Sequence, residues 1–336
     1  MRRALTPLRL GVAGALLLAV VVAALLTTTT DSFLLIPDRA HPLAQLVKVP
    51  GGKTRTGGGG IYYVDVLERK ASVLERLIPA LRRDSTLVEH EQVTPPGVTD
   101  RQRIAADRLD MQLSQQVASA VALRALGYDV KIESEGTRVA LVYANSHAKG
   151  KLEPGDVIRS IDGKRVRTTL QLRHAIAGHE VGDLIRVGFR RGGKRMTVGV
   201  RAIRDQETSR PILGIAPQPA LKLDVPFKIR FNLRNVGGPS AGLAFALQIM
   251  EARGRNVDHG YRVAATGVID PDGTVSPIGG VKQKTIGARR AHVDVFLVPA
   301  GDNYREARKY AGGLRLIPVK TFQQALRALA TLPRKR

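Results

Sequence analysis

The sequence contains no cysteine and no tryptophan, and aromatic residues make up only 4% of its 336 positions. Without cysteine, the chain cannot form disulfide bonds or zinc sites with thiolate ligands. With so few aromatic rings, it lacks the stacking platforms on which single-stranded nucleic acids are usually bound. A hydrophobic fraction of 43% and a charged fraction of 24% are nevertheless those of a folded protein.

Acidic residues are also scarce, since 29 of them stand against 53 basic residues and leave a formal net charge of +24. Such an excess is compatible with nucleic-acid binding, but the basic residues are spread along the whole chain without a recognisable binding motif. We therefore attribute the charge to a basic surface near anionic lipid headgroups and predict no nucleic-acid partner.

A nucleotide-binding loop is missing as well. The run Gly52-Lys53-Thr54 ends like a phosphate-binding loop, but Val47 stands where that loop requires a glycine. We therefore predict that the chain binds no nucleotide, and we assign it no cofactor and no metal.

The amino-terminal segment is apolar. Residues 10–26 carry no charge and follow Arg2, Arg3 and Arg9. A cleaved secretory signal is the alternative, but no A-x-A site follows the apolar run, so we favour an uncleaved transmembrane anchor over residues 10–30. The basic residues before it place residues 1–9 in the cytoplasm and the remainder outside the cell membrane. Residues 31–60, rich in proline, glycine and basic residues, are expected to be a tether.

The next segment, residues 61–126, combines a strand with helices. Residues 61–66 (I-Y-Y-V-D-V) are rich in strand-forming types. Residues 71–83 and 99–126 show apolar positions at helical spacing. We interpret the glutamines and serines of the longer helix as its solvent-exposed face.

Residues 127–205 change to short strands joined by turns. Strands are predicted at residues 139–143, 157–161, 184–189 and 196–200, with a short helix at 170–177. Residues 151–163 (K-L-E-P-G-D-V-I-R-S-I-D-G) resemble the most recognisable segment of PDZ domains. This family accepts an extended peptide, often a free carboxyl terminus, as an added strand between a sheet edge and a helix.

The PDZ resemblance also implies where such a peptide would lie. It places the carboxylate-binding loop near Leu126, Gly127 and Tyr128, and the helix of the groove at residues 170–177. The alternative for all of these residues is ordinary core packing.

Ser240 lies at the centre of residues 235–242 (N-V-G-G-P-S-A-G). A strand-like stretch at 227–233 precedes it, and an apolar helical run at 243–250 follows. Such a serine is either a helix N-cap or a nucleophile served by the N–H groups of the helix start. The motif also fits G-x-S-x-G, but His292 precedes a predicted strand rather than following one, which argues against a Ser-His-Asp triad.

A lysine is a better partner for this serine. Residues 278–290 (I-G-G-V-K-Q-K-T-I-G-A-R-R) open a helix with two glycines. At 100° per residue, Lys284 falls on the small apolar face and Lys282 on the charged face. Desolvation lowers the pKa of a lysine and allows it to act as a general base, unless its side chain reaches solvent from the helix edge.

Residues 237–242 and 279–284 resemble the nucleophile and lysine motifs of the Lon family of Ser–Lys peptidases. Supporting motifs follow in the order of that family at residues 265–267, 277–280, 295–303 and 321–329, so that the resemblance covers residues 213–332. It implies that Ser240 is the nucleophile, that Lys284 is the general base and that Thr266 helps to position the lysine.

The resemblance further implies an oxyanion hole made of backbone N–H groups around Gly238 and Ser240. The sequence departs from the family pattern at Gly237, where many Lon enzymes have an acidic residue, and at Val268, where they have glutamate. Neither change touches the serine or the lysine.

The expected fold is therefore α+β, a Lon-type peptidase unit at residues 213–332 combined with a PDZ domain at 127–205. Residues 61–66 resemble an opening strand of the peptidase, which would make the PDZ domain an insertion. The layout is similar to that of membrane-anchored, PDZ-containing Lon-like proteases of bacteria.

These resemblances imply an ATP-independent serine endopeptidase that acts on unfolded or exposed protein segments, since the AAA+ ATPase module of Lon is missing. Protein or peptide substrates and membrane lipid are the expected partners, and a homo-oligomeric ring is an expectation taken from the family. The alternative is a non-catalytic PDZ scaffold or adaptor at the membrane, which would need neither Ser240 nor Lys284.

Overall fold

The structure is a computed structural model that describes residues 7–53, 58–95, 97–206, 208–233 and 236–335, with side chains from residue 11 onward. Residues 1–6, Thr54 and Asn235, which carry parts of the predictions above, lie outside these ranges. The helices are α1 (Pro7–Thr27), α2 (Val73–Leu77), α3 (His90–Val93), α4 (Asp100–Ala125), α5 (Thr169–Ala177), α6 (Gly242–Ala252), α7 (Val281–Arg290), α8 (Asp302–Arg308) and α9 (Phe322–Ala330), with a 3-10 turn at Pro79–Arg82.

The strands form several sheets. They are β1 (Thr29–Pro37), β2 (His41–Pro42), β3 (Val47–Lys48), β4 (Gly60–Tyr63), β5 (Val66–Ser72), β6 (Thr86–Val88), β7 (Lys131–Val142), β8 (Val157–Ile161), β9 (Lys164–Arg165), β10 (Leu184–Arg191), β11 (Lys194–Arg201), β12 (Ile203–Arg204), β13 (Pro211–Ile212), β14 (Ile215–Asp224), β15 (Arg230–Phe231), β16 (Arg262–Ala265), β17 (Val268–Ile269), β18 (Val275–Ser276), β19 (Val295–Pro299) and β20 (Arg315–Val319).

The first sheet has the strand order β2-β4-β16-β19-β20, and its strands β4, β16, β19 and β20 run parallel. Its inner strand β19 (V-F-L-V-P) is buried along its whole length, as expected for a parallel strand covered by helices on both faces. Alternate residues of β16 and β19 enter two cores, because successive side chains of a strand point to opposite faces.

One of these cores contains α6, together with Val263 and Leu297 of the sheet. The other contains α7 and α8, together with Ala264 and Phe296. The first sheet therefore separates α6 from α7.

Strand β4 lies far upstream of the rest of the first sheet. It pairs in parallel with β16, with Ile61 opposite Val263 and Tyr63 opposite Ala265. The residues of α4 and of the second sheet lie between β4 and β16 in the sequence. The first sheet is thus assembled from both sides of this long intervening segment.

The second sheet has the order β11-β10-β8-β7-β14, with β9 beside β8. Its strands include the predicted runs at 139–143, 157–161, 184–189 and 196–200, and α5 forms where the short helix was expected. The buried Leu172 and Ile176 of α5 pack in one cluster with Ile158, Ile161 and Val187 of the sheet. A compact unit with its own core therefore forms here.

Two of the structural expectations differ from what is observed. Residues 31–60, expected to be a tether, contain β1, β2 and β3, and Phe33, Leu34 and Leu43 are buried. The apolar run in β1 packs despite the nearby prolines and glycines. The strand expected at 227–233 forms only as β15, which pairs with β3.

The transmembrane anchor expected at residues 10–30 is not confirmed. Helix α1 ends at Thr27, and the chain enters strand β1 at Thr29. Across the described part of the chain, no helix combines the length and the apolarity that crossing a membrane requires.

Candidate active site

The loop before α6 carries Ser240. Helix α6 begins at Gly242 and its N-cap residue is Ala241, which makes no side-chain capping bond. The hydroxyl of Ser240 therefore does not cap the helix. All residues of α6 are buried, so the helix is held firmly and fixes the half-buried serine at its amino-terminal end.

Helix α7 brings Lys284 to this serine. The Nζ atom of Lys284 lies 2.6 Å from the Oγ atom of Ser240, although the two residues are 44 positions apart. The lysine is only 5% exposed, and its helical neighbours Val281 and Ala288 are buried in the core beneath α7. The small apolar face of α7, on which Lys284 was predicted to lie, is thus buried.

The environment of Lys284 favours its neutral form. Burial lowers the pKa of its ammonium group to about 8, because a charged group loses hydration inside the protein. The carboxylate of Asp65 opposes this shift, since a nearby negative charge stabilises the ammonium form. An appreciable fraction of the amine is therefore neutral near pH 8 and can accept a proton.

Asp65 was not singled out from the sequence as a site residue. It follows strand β4, is half-buried, and has a pKa raised mainly by desolvation, while the charge of Lys284 lowers it. The sequence feature that could have identified Asp65 as a site residue was its position at the carboxyl end of a predicted strand. The carboxyl ends of parallel strands meet at one edge of a sheet, where functional residues often lie.

Further polar residues surround Asp65. His41 Nε2 lies 2.9 Å from the carboxylate of Asp38, and the imidazole of His41 stacks on the ring of Tyr63. Burial, followed by the charges of Asp65 and Asp38, raises the pKa of Tyr63 to about 12. Tyr63 therefore stays protonated, and the negative charge that acts on Lys284 comes from the carboxylate of Asp65.

Thr266 contacts the serine residue rather than the lysine. Its Oγ1 donates a hydrogen bond of 3.1 Å to the backbone carbonyl of Ser240, and the amide of Gly267 donates another of 2.8 Å to the same oxygen. Thr266 is fully buried at the end of β16. These two bonds tie the nucleophile loop to the edge of the first sheet.

Helix α4 holds the other side of the loop. The amide of Gly238 donates a 2.8 Å hydrogen bond to the carbonyl of Asp107, and Ser114 Oγ donates one of 2.9 Å to the carbonyl of Pro239. Ser114 is buried, so our interpretation of the α4 serines as a solvent-exposed face is wrong at this position. A Cβ atom on Gly237 would lie 2.8 Å from Cβ of Asp107, which explains the small residue there.

The loop also offers backbone N–H groups for an oxyanion. The amide of Gly238 is occupied by Asp107, whereas those of Ser240 and Ala241 have no hydrogen-bond partner among the described residues. Both lie next to the positive end of the α6 dipole. These two amides are the available donors in this conformation.

Lys282 lies on a different side of α7. Its Nζ donates a 3.0 Å hydrogen bond to the carbonyl of Ser85 and lies over the ring of Tyr310. It therefore ties α7 to neighbouring segments away from Ser240. Within the described residues, no group of three or more histidine, aspartate or glutamate side chains is placed to hold a metal ion.

The residues expected at the PDZ groove pack in different hydrophobic clusters. Leu126 and Tyr128 follow α4 and belong to a cluster with Phe227 and Ile229, and the ring of Tyr128 meets that of Phe227 edge-on. Gly127 ends the helix with a φ of 87°. The core residues of α5 belong instead to the separate cluster of the second sheet.

Comparisons with known proteins identify both units. Residues 124–201 match the family model of the PDZ domain, and residues 235–331 match that of the Lon protease (S16) C-terminal proteolytic domain. The predictions of a PDZ domain and of a Lon-type proteolytic domain are therefore confirmed at the level of these families. The matches support a serine peptidase.

Individual relatives agree with this assignment. Lon protease 1 of Sorangium cellulosum (strain So ce56) is 38% identical over 137 residues, which cover 36% of this chain and 16% of that protein. Lon protease 2 of Bacillus subtilis (strain 168) is 36% identical over 98 residues, covering 29% and 17% respectively. The chain thus spans less than a fifth of the length of either relative.

Among solved structures, the PDZ domain of the SdrC-like protein from Listeria monocytogenes is similar. It is 24% identical, and the match covers 26% of this chain and 92% of that domain with a TM-score of 0.25.

Proposed function

We propose that this protein is a serine endopeptidase in which Ser240 is the nucleophile and Lys284 is the general base. The observation that carries the proposal is the 2.6 Å contact between Ser240 Oγ and the buried amine of Lys284. A scaffold that only binds peptides would have no use for a desolvated lysine against a serine, because burying this cation costs free energy. The match of residues 235–331 to the Lon proteolytic domain supports the same reaction class.

In the proposed mechanism, the neutral amine of Lys284 takes the proton of Ser240 Oγ as that oxygen attacks a peptide carbonyl. The amides of Ser240 and Ala241 then donate to the oxygen of the tetrahedral intermediate. The ammonium of Lys284 returns the proton to the departing amine, which leaves an ester on Ser240. Water, deprotonated by the same amine, attacks the ester, and the ammonium returns this proton to Ser240 Oγ as the new carboxyl terminus is released.

We further propose that no step uses ATP and that substrates are unfolded or flexible segments. The proposal rests on the absence of a complete phosphate-binding loop in the sequence, since Val47 replaces its first glycine. Without a motor that unfolds proteins, only a segment that is already extended can reach Ser240.

The PDZ unit is proposed to bind part of these substrates. Among the described strands, β14 pairs only with β7, so one of its edges is open, and β14 lies close to α5. An extended peptide added to this edge beside α5 would be bound as an extra strand. Pro217 and Pro219 lack N–H groups, so these two positions of β14 cannot donate a hydrogen bond to the added strand.

Ser240→Ala is expected to lower kcat/KM for a flexible protein such as β-casein by at least about 10³-fold, because the attacking oxygen is lost. In parallel, a fluorophosphonate probe that reacts with nucleophilic serines should label the wild-type protein and not Ser240→Ala. Equal labelling of both proteins would reject Ser240 as the nucleophile. If the folded wild-type protein is neither labelled nor active, it is a binding protein instead.

A further inference from the structure

A basic recess lies on the PDZ unit, on the face of the second sheet that points away from α5. Val187 and Ile161 point into the core with α5, whereas Gly188 and Ser160, their neighbours in the chain, point to the opposite face. The recess on this outer face has a volume of about 490 Å³. Four arginines line it and define what we call the arginine recess: Arg159, Arg165, Arg190 and Arg195.

The arrangement of these arginines is unfavourable in the isolated protein. Arg190 on β10 stands directly opposite Arg195 on β11, and like charges in a cross-strand pair destabilise a sheet. The hairpin that carries them contains no acidic residue between Leu184 and Arg201. A bound anion would remove this repulsion.

Neighbouring acidic groups do not neutralise the recess. Arg159 lies 3.7 Å from Glu135, but Arg165, Arg190 and Arg195 form no ion pair with any described residue. The Nε atom of Arg190 is buried and has no hydrogen-bond partner there. Since buried donors are normally paired, this N–H points to a missing acceptor.

The floor of the recess is small and polar. Gly188 lines the recess, and the Oγ atom of Ser160 occupies the space that a Cβ atom on Gly188 would fill. Thr197, which pairs with Gly188 across the hairpin, adds a second hydroxyl group. The floor therefore offers hydroxyl donors beside the guanidinium groups.

We propose that the arginine recess binds an acidic segment of a polypeptide. This docking site is separate from the edge of β14. A role of the recess in selecting substrates rests on the proposed peptidase function. Guanidinium groups bind carboxylates through paired hydrogen bonds, and several of them select for clustered aspartate and glutamate. Nucleic acid fits less well, because the only aromatic ring that lines the recess, Phe189, is 2% exposed and cannot stack on a base.

The test measures binding of a fluorescent peptide of alternating glutamate and glycine to the full chain carrying Ser240→Ala, so that no cleavage interferes. A matched peptide with glutamine in place of glutamate is the neutral control. We expect the acidic peptide alone to bind, with an affinity that falls as salt is added. The variant Arg190→Gln/Arg195→Gln should weaken binding at least about tenfold and remain folded, since it removes a repulsive pair.

Arg308→Gln/Arg327→Gln is the matched control, because it removes the same charge from exposed positions outside the recess and outside the PDZ unit. It should change the affinity less than about twofold. Equal weakening by both double variants would overturn the proposal in favour of unspecific attraction to a basic protein. Binding of phosphatidylserine vesicles or of RNA that depends on the recess, with no binding of the acidic peptide, would also overturn it. Because the assay measures binding only, it stands even if the peptidase proposal fails.

Discussion

Replacement of Lys284 by alanine is expected to lower kcat/KM for an unfolded protein substrate by about 10²–10⁴-fold, the range contributed by a positioned general base. The amine that lies 2.6 Å from Ser240 Oγ would be gone, and the hydroxyl would keep its proton at neutral pH. Removal of a buried cation should not unfold α7, whose other buried residues remain. The measurement is the rate of β-casein cleavage, with circular dichroism as the check on folding.

Lys282→Ala is the matched control, since Lys282 lies two residues away on the same helix. Its hydrogen bond to the Ser85 carbonyl and its contact with Tyr310 hold α7 in place but do not reach Ser240. The control should keep kcat/KM within about threefold of wild type and lose at most some stability. If Lys282→Ala inactivates the protein and Lys284→Ala does not, the assignment of the base is wrong.

Gly287→Ala is expected to destabilise the protein by about 1–3 kcal/mol, the usual cost of forcing extra atoms into a packed core. A Cβ atom on Gly287 would overlap the backbone carbonyl oxygen of Asp38, which a change of side-chain rotamer cannot relieve. Helix α7 would have to move away from the segment after β1, and Lys284 would move with it. Thermal unfolding should show a lower Tm, and kcat/KM should fall.

Gly279→Ala provides the control for this substitution. Gly279 lies just before the same helix, is exposed, and would place its Cβ atom in open space. Its Tm should be close to that of the wild type. Equal Tm values for the two variants and the wild type would show that α7 and the Asp38 segment do not pack as closely as described.

The two central residues of the site were predictable because each lies in a local pattern. The glycines and proline before Ser240 indicated a loop that leads into a helix, and the spacing within 278–290 placed Lys284 on the small apolar face of α7. Neither pattern could show that the loop before α6 meets α7. That contact depends on the first sheet, which lies between α6 and α7.

The supporting residues were harder to predict because they depend on packing between distant segments. Ser114 lies 125 residues from Pro239 in the sequence, and its spacing on α4 fits a solvent-exposed face as well as a buried one. The direction of the Thr266 hydroxyl likewise depends on how the nucleophile loop approaches β16. The tether expected at residues 31–60 was predicted from composition. Composition does not show that the apolar residues of β1 pack in a core.

The charge of Asp65 affects the pKa of Lys284, which can be measured. Its negative charge raises the pKa of Lys284, while burial of the lysine has the larger, opposite effect. Removing the charge by Asp65→Asn should therefore lower the pKa of Lys284 further. More of the amine would then be neutral at a given pH below about 8.

The most direct test of the Ser240–Lys284 dyad is the pH dependence of the second-order rate at which a fluorophosphonate labels Ser240. For the wild type, the rate should rise with pH through a midpoint of about 8, where Lys284 loses its proton. In Asp65→Asn the midpoint should move to lower pH. A rate that is constant between about pH 6 and pH 10, or a midpoint that moves upward in Asp65→Asn, would contradict the role of Lys284 as the base.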